Sequence, residues 1–298
     1  MAHRILHLSD THVTATGFDA GGVDAAASLR RILFDARHLD GLDLVMVSGD
    51  IADDGSAAGY AAAREIVGDF AARRGIPHVY TTGNHDNRTN FTQVLGTGHL
   101  AADGTGTGHG WAGGPERAAV SDVNGLRVIT LDSLIPGSNH GLISAAQLRW
   151  LAGVLAEPAP AGSVLAFHHP PVQVPTSVFV ATGGLRNADE LAGVVAGSDI
   201  QAILCGHYHV QLAGHLRGVP VWVTPGVVTR LDLTAPHSLV RVVQGASATV
   251  VDLGGPSSPS FHVIHARDPD SGKQVYLVNG TTWVPAGSEV GPGEHPSR

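Results

Sequence analysis

The 298-residue chain has one cysteine, Cys205, one lysine, Lys273, and only 5% aromatic side chains. A single cysteine excludes internal disulfides and cysteine-rich zinc sites, and it fits a reducing compartment. No apolar run approaches the ~18 residues that a membrane span needs. Residues 1–10 break their short apolar pieces with His3, Arg4 and His7, too little for the apolar stretch of a secretory leader. A cytoplasmic protein with no membrane partner is therefore expected. Positive charge is scarce as well, since 18 Lys+Arg against 26 Asp+Glu leave a net charge of −8. Such a chain repels polyanions at long range, which argues against a nucleic-acid partner. Hydrophobic residues make up 43% and charged residues 15%, a balance that supports a large core rather than disorder.

Apolar periodicity then orders the elements. Residues 4–9 alternate like a strand, 23–38 read as a helix, and Leu44-Val45-Met46-Val47 is a buried run. A helix at 57–74 and a strand at 78–82 complete a β-α-β-α-β order, which right-handed crossovers fold into a mostly parallel sheet. Residues 97–114 read as a long surface loop. The runs 118–123 and 126–132 flank Asn124-Gly125, a hairpin signal. A helix at 144–156, a strand at 163–167, a helix at 188–196 and a strand at 200–204 follow. Beyond residue 210 the pattern predicts three hairpins: 210–216 with 219–224, 238–243 with 247–252, and 261–266 with 274–278. The expectation is two sheets flanked by helices, with a main domain at 1–230. A β-hairpin-rich extension at 231–284 would serve as lid or oligomer interface, and 285–298 would be a flexible tail.

Five polar clusters each follow a strand-like run: Asp10-Thr11-His12, Gly49-Asp50, Gly83-Asn84-His85-Asp86, His168-His169 and Gly206-His207-Tyr208-His209. In open α/β sheets the carboxyl ends of strands converge on a ligand, so clusters distant in sequence meet in space. The i, i+2 spacing of Asp10/His12 and of His207/His209 would put each pair on one side of an extended segment. Asp, His and Asn without sulfur disfavour a structural zinc site and suit harder metals. Asp10, His12, Asp50, Asn84, His168, His207 and His209 are too many for one ion that also keeps a water. Two ions bridged by one carboxylate would use all seven.

The order Asp-x-His, Gly-Asp, Gly-Asn-His-Asp, His, Gly-His-x-His resembles that of the calcineurin-like binuclear metallophosphoesterases. Three stretches resemble its bacterial class III cyclic-nucleotide phosphodiesterases: the opening His-Leu-Ser-Asp-Thr-His, Gly-Asp-Ile-Ala-Asp at 49–53, and Asn139-His140-Gly141 ahead of Gln147-Leu148-Arg149-Trp150-Leu151. Asp53 stands where purple acid phosphatases carry a metal-binding Tyr, and Asp54-Gly55 departs from the protein phosphatase signature. Both of those branches are disfavoured.

The resemblance implies a four-layer αββα sandwich and two metal ions per chain, Fe, Mn, Co or Zn with Fe and Mn favoured. Asp10, His12, Asp50 and His209 would hold the first ion, and Asn84, His168 and His207 the second, with Asp50 bridging. His169 could exchange with His168, although the family position is the first of the pair. The implied reaction is hydrolysis of a phosphodiester by a metal-bridging hydroxide, with 3′,5′-cyclic nucleotides as substrates and 5′-monophosphates as products. His85 would be the general acid, and His140 and Arg88 would contact substrate. A glycerophosphodiesterase or broad-specificity phosphodiesterase is the alternative, and a non-catalytic scaffold a remoter one. The β-rich end suggests a homodimer or larger closed oligomer.

Overall fold

The computed structural model describes residues 2–173, 177–279 and 282–285. The first half forms β1 (His3–Leu8), α1 (Ala25–Asp35), β2 (Leu44–Ser48), α2 (Ala57–Ala72), β3 (His78–Thr81), α3 (Arg88–Leu95) and β4 (His99–Leu100). Asp24, Ser56 and Asn87 start the three helices by accepting hydrogen bonds from Ala27 N, Gly59 N, and both Thr89 N and Asn90 N. β1, β2 and β3 pair in parallel, as buried strands joined by helices must.

The second half adds β5 (His109–Gly110), β6 (Ala119–Val123), β7 (Leu126–Thr130), α4 (Ala145–Val154), β8 (Ser163–Ala166), α5 (Val178–Thr182), α6 (Ala188–Val195), β9 (Ile200–Cys205), β10 (Leu212–Leu216) and β11 (Val219–Val223). Asn124 and Gly125 both take positive φ, 53° and 86°, and close the β6–β7 hairpin as their sequence predicts. The β10–β11 hairpin also forms as expected. The loop at 97–114 is less bare than its composition suggests, since it contributes the short strands β4 and β5.

The last strands are β12 (Thr229–Asp232), β13 (Leu239–Gln244), β14 (Ser247–Leu253), β15 (Ser260–His265), β16 (Gln274–Asn279) and β17 (Thr282–Pro285). Among the described residues three sheets result, ordered β15-β14-β1-β2-β3-β4, β10-β11-β9-β8-β7-β6-β5, and β12-β13-β16-β17. The expected hairpins 238–243 with 247–252 and 261–266 with 274–278 do not form. β14 instead runs antiparallel to β1 and carries β15 on its far side, while β13 pairs with β12 and β16. The 231–284 segment is thus not a separate extension. Its middle completes the first sheet because Ala248, Val251 and Leu253, all fully buried, belong to the main core. Apart from Pro285, the tail at 285–298 lies outside the described residues.

Three apolar layers hold this arrangement. One joins the first sheet to α1, α2 and α3, one fills the space between the two large sheets, and one joins the second sheet to α4 and α6. This is the αββα sandwich. Leu231, Val242 and Val275 tie the third sheet to the last of these layers.

The middle layer also contains paired polar groups. His99 bonds Ser121 Oγ through Nδ1 at 2.7 Å and Thr130 Oγ1 through Nε2 at 2.9 Å, linking the two large sheets. Burial pushes the His99 ring down to about 3 from its usual 6.5, and burial also takes His7 to about 3 and His78 to about 4. Unfolded, these rings gain a proton as pH falls below 6.5, whereas the folded core keeps them neutral. Stability is therefore lost as pH drops through that window. Between pH 6.5 and 5 each ring should cost about 2 kcal/mol. His99→Gln, whose amide preserves the bridging chemistry, should flatten the decline by about that amount in denaturant titrations at the two pH values. An unchanged slope would mean that His99 does not drive it.

Candidate metal centre

β1, β2 and β9 end in backbone turned into the left-handed region. Asp10, His12, Asp50, His207 and His209 have φ of 56°, 43°, 47°, 71° and 52°. Only two other described non-glycine residues, Asn124 and Arg217, share that conformation. Strain of this kind persists where surrounding structure over-determines it, and it collects at functional sites. It also corrects the extended-strand argument. The side chains converge because the chain kinks after each strand, and His207 and His209 face different clusters rather than one common point. Close backbone approach adds to this, since a Cβ on Gly83 would collide with Asp50 Oδ1 and one on Gly206 with Ser9 Oγ.

Three sets of ligand atoms gather here: Asp10, His12 and His209; His12, Asp50 and His85; and Asp50, His168 and His207. His12 is shared by the first two sets and Asp50 by the last two. Asp50 Oδ2 is 3.9 Å from His12 Nε2 and 3.1 Å from His168 Nε2, while Asp10 Oδ1 is 3.3 Å from His209 Nε2. Oxygen partners fix the far nitrogens. His168 Nδ1 is 2.8 Å from the Ser48 carbonyl and His12 Nδ1 is 2.8 Å from Asp53 Oδ1. Both partners can only accept, so each Nδ1 carries the hydrogen, and a neutral ring then offers Nε2 as a lone pair.

The donor set fits metal ions. His12 Nε2, Asn84 Oδ1, His168 Nε2 and His207 Nε2 are buried and make no hydrogen bond among the described residues. Asp10 is fully buried and Asp50 is 2% exposed, and a buried carboxylate needs a positive partner. Burial works against the charge on each, but His209 and His168 outweigh it for Asp10, and His168, His85 and His12 for Asp50. Both carboxyls stay below the usual range. His168 is pushed up to about 9, because Asp50 and Asp10 overcome its burial. His207 is pushed down to about 3 by burial and by the neighbouring His168.

His85 sits at the rim with its side chain 40% exposed. Its backbone N–H donates to Asp50 Oδ1 at 2.9 Å, and its Nδ1 is 3.1 Å from the Asp53 carbonyl and 3.2 Å from Asp53 Oδ1. Burial opposes charge on the ring, but Asp50 and Asp53 outweigh it and push the ring up to about 10. His169 is buried against Ser133 Oγ at 2.8 Å and belongs to none of the three sets. His140 bonds Ser138 Oγ at 2.9 Å, next to Gly141, where the chain passes over the His169 ring. Arg88 is held along one edge of its guanidinium. Its guanidinium grips both oxygens of buried Asp132, at 2.7 and 3.0 Å, and the Leu134 carbonyl at 2.6 Å.

Two carboxylates were missed as site residues. Asp53 binds His12, His85 and the Ala20 N–H at once. Asp86, buried, accepts from Ile51 N, Ala52 N, Gly83 N and Tyr60 Oη, which locks the Asp50 turn to the Asn84 turn. Their signals were present as the closing aspartates of Gly-Asp-Ile-Ala-Asp and Gly-Asn-His-Asp.

Residues 3–211, which carry every one of these ligands, match the calcineurin-like phosphoesterase family. This chain belongs to that family. Calcineurin-like phosphoesterases work through a two-metal centre, and the clusters around Asp50 are the candidate ligands for one here. Several relatives are similar over most of their length. A probable cyclic nucleotide phosphodiesterase of Rhodococcus erythropolis is 39% identical over 82% of this chain and 77% of its own. A cAMP/cGMP dual specificity phosphodiesterase of Mycobacterium tuberculosis is 37% identical over 81% and 73%. The 3′,5′-cyclic adenosine monophosphate phosphodiesterase CpdA of Escherichia coli is 31% identical over 78% of each chain.

If Asp86 is what joins the two turns of this calcineurin-like centre, Asp86→Ala should lower unfolding free energy by about 3–5 kcal/mol, the cost of emptying a buried charged network. Bound metal should fall with it. Denaturant unfolding and metal analysis measure both, and a loss below ~1 kcal/mol with full metal would contradict the role.

Proposed function

We propose that this calcineurin-like phosphoesterase hydrolyses 3′,5′-cyclic nucleotides, cAMP or cGMP, to 5′-monophosphates. The observation that carries the reading is that Asp50 is shared by the set with His12 and His85 and the set with His168 and His207. Asp10, His12, Asp50 and His209 would hold one ion, and Asn84, His168 and His207, sharing Asp50, the other. Two ions there would activate a water near neutral pH and neutralise charge developing on phosphorus. Nitrogen and oxygen donors without sulfur suit Fe or Mn, with Co and Zn also accommodated. The named activities of the Mycobacterium and Escherichia relatives support the substrate class. The proposal extends to a cytoplasmic setting, favoured by the lone buried thiol of Cys205, and to a homo-oligomer, for which β15 offers a sheet edge.

The chain's own residues complete the reaction. His85 reaches the rim with Nδ1 turned to Asp53, which leaves Nε2 to carry a proton to the departing ribose oxygen. Asp50 and Asp53 favour the protonated ring against its burial, the form from which His85 would act as the acid. Asp53 also orients His12, so one carboxylate aligns a ligand with the proton donor.

Profiling metal-loaded enzyme against 3′,5′-cAMP, 3′,5′-cGMP, 2′,3′-cyclic nucleotides and glycerophosphodiesters tests the substrate. The 3′,5′-cyclic nucleotides should lead in kcat/KM by at least ~10-fold and release 5′-monophosphates. A glycerophosphodiester in first place would reassign the substrate, and no turnover at full metal content would leave a scaffold. His85→Ala should keep its metal but lose ~10²–10⁴-fold on a diester with a poor leaving group. An aryl diester, whose leaving group needs little protonation, should suffer less. Equal losses on both would make His85 a phosphate-positioning residue.

A further inference from the structure

The third sheet, β12-β13-β16-β17, contributes none of the candidate ligands, yet it touches His209 directly and is linked through Asp53 to His12, the two histidines that face the Asp10 side of the centre. Thr229, the first residue of β12, meets His209 Nδ1 twice, with its Oγ1 at 2.8 Å and its carbonyl oxygen at 3.0 Å. The carbonyl can only accept, so Nδ1 carries the hydrogen and Nε2, 3.3 Å from Asp10 Oδ1, is left to bind. Leu231 N also donates to the His209 carbonyl at 3.0 Å, so β12 fixes both the backbone and the ring. Gly226 permits this wrap. A Cβ there would stand 2.6 Å from the Thr229 carbonyl oxygen and 2.7 Å from His209 Nδ1.

The link to His12 is indirect and starts from β16. Val275 Cγ1 lies so close to Gly21 that a Cβ there would be 2.6 Å away. The preceding residue, Ala20, donates its N–H to Asp53 Oδ2 at 2.9 Å, and Asp53 Oδ1 holds His12 Nδ1 at 2.8 Å. His209 is thus held by the third sheet directly, and His12 is linked to it through Gly21, Ala20 and Asp53. His168 is not, since its Nδ1 partner is Ser48 at the end of β2.

We infer that the third sheet is a metal-retention element acting on one of the two ion positions, the one built on Asp10, His12 and His209, with Thr229 as its positioning residue. The inference rests on the two-metal reading above but not on the substrate. Partners of this kind orient a ligand and fix its tautomer, and their loss typically costs 10–100-fold in metal affinity. Thr229→Val keeps the shape and the carbonyl but removes one of the two oxygens.

The test is Mn²⁺ titration of demetallated full-length protein, without substrate, on the parent, Thr229→Val, Thr229→Ser, Gly226→Ala and His209→Ala. Thr229→Val should weaken one of two binding steps by ~10-fold and leave the other within ~2-fold. Thr229→Ser, which keeps the hydroxyl, should bind both ions like the parent. Gly226→Ala should weaken the same step as Thr229→Val, and it decides the matter if the valine variant does not fold. Parent-like binding by Thr229→Val, or equal weakening of both steps, would overturn the inference. His209→Ala should lose one ion. If it binds two ions normally, the ligand assignment is wrong, and that failure is distinct from both the Thr229 result and the cyclic-nucleotide assignment.

Discussion

Two carboxylates, Asp10 and Asp50, sit almost without exposure at the ends of β1 and β2. Negative charge at such a place is tolerated only beside positive charge, because burial removes the water that would otherwise solvate it. The rest of the site answers that requirement. Imidazole nitrogens surround the pair, and the outward nitrogens of His12, His168 and His209 are held by oxygens, which turns the inward ones toward the carboxylates. A protein of net charge −8 thereby keeps a local centre suited to cations and, through them, to a phosphodiester anion.

Holding this arrangement strains the backbone. Five ligand-bearing residues occupy left-handed conformations that side chains with a Cβ seldom adopt. The compensation comes from a dense hydrogen-bond frame, in which Asp86 alone accepts from three backbone N–H groups and a tyrosine hydroxyl. The αββα layers supply the rigidity behind it, since β1, β2, β8 and β9 lie centrally in sheets covered on both faces.

Much of the site was legible in the sequence because its ligands follow short apolar runs, and a buried parallel strand leaves just that signature. Asp10, His12, Asp50, His168, His207 and His209 all fall in the clusters for that reason. Asp53 and Asp86 were passed over because a carboxylate that holds other residues in place looks like any turn or cap residue until its partners are known. Arg88 has a partner that no local pattern shows. Its position beside the Asn84-His85 cluster suggests a substrate contact, and Asp132, 44 residues away, holds the Nε–Nη2 edge of its guanidinium.

The C-terminal strands show where local pattern gives out. Residues 238–243 and 247–252 are adjacent strands with a short connection, which favours a hairpin on local grounds. The free edge of β1 drew β14 into the first sheet, and β13 turned to β12 and β16. The sequence by itself determined the order of most strands and helices, two sheets flanked by helices and the ligand types, because periodicity and residue chemistry are local properties. Tertiary structure alone decided which strands pair at the sheet edges, which histidine faces which cluster, and that Thr229 sits behind His209, because each depends on contacts between residues far apart along the chain.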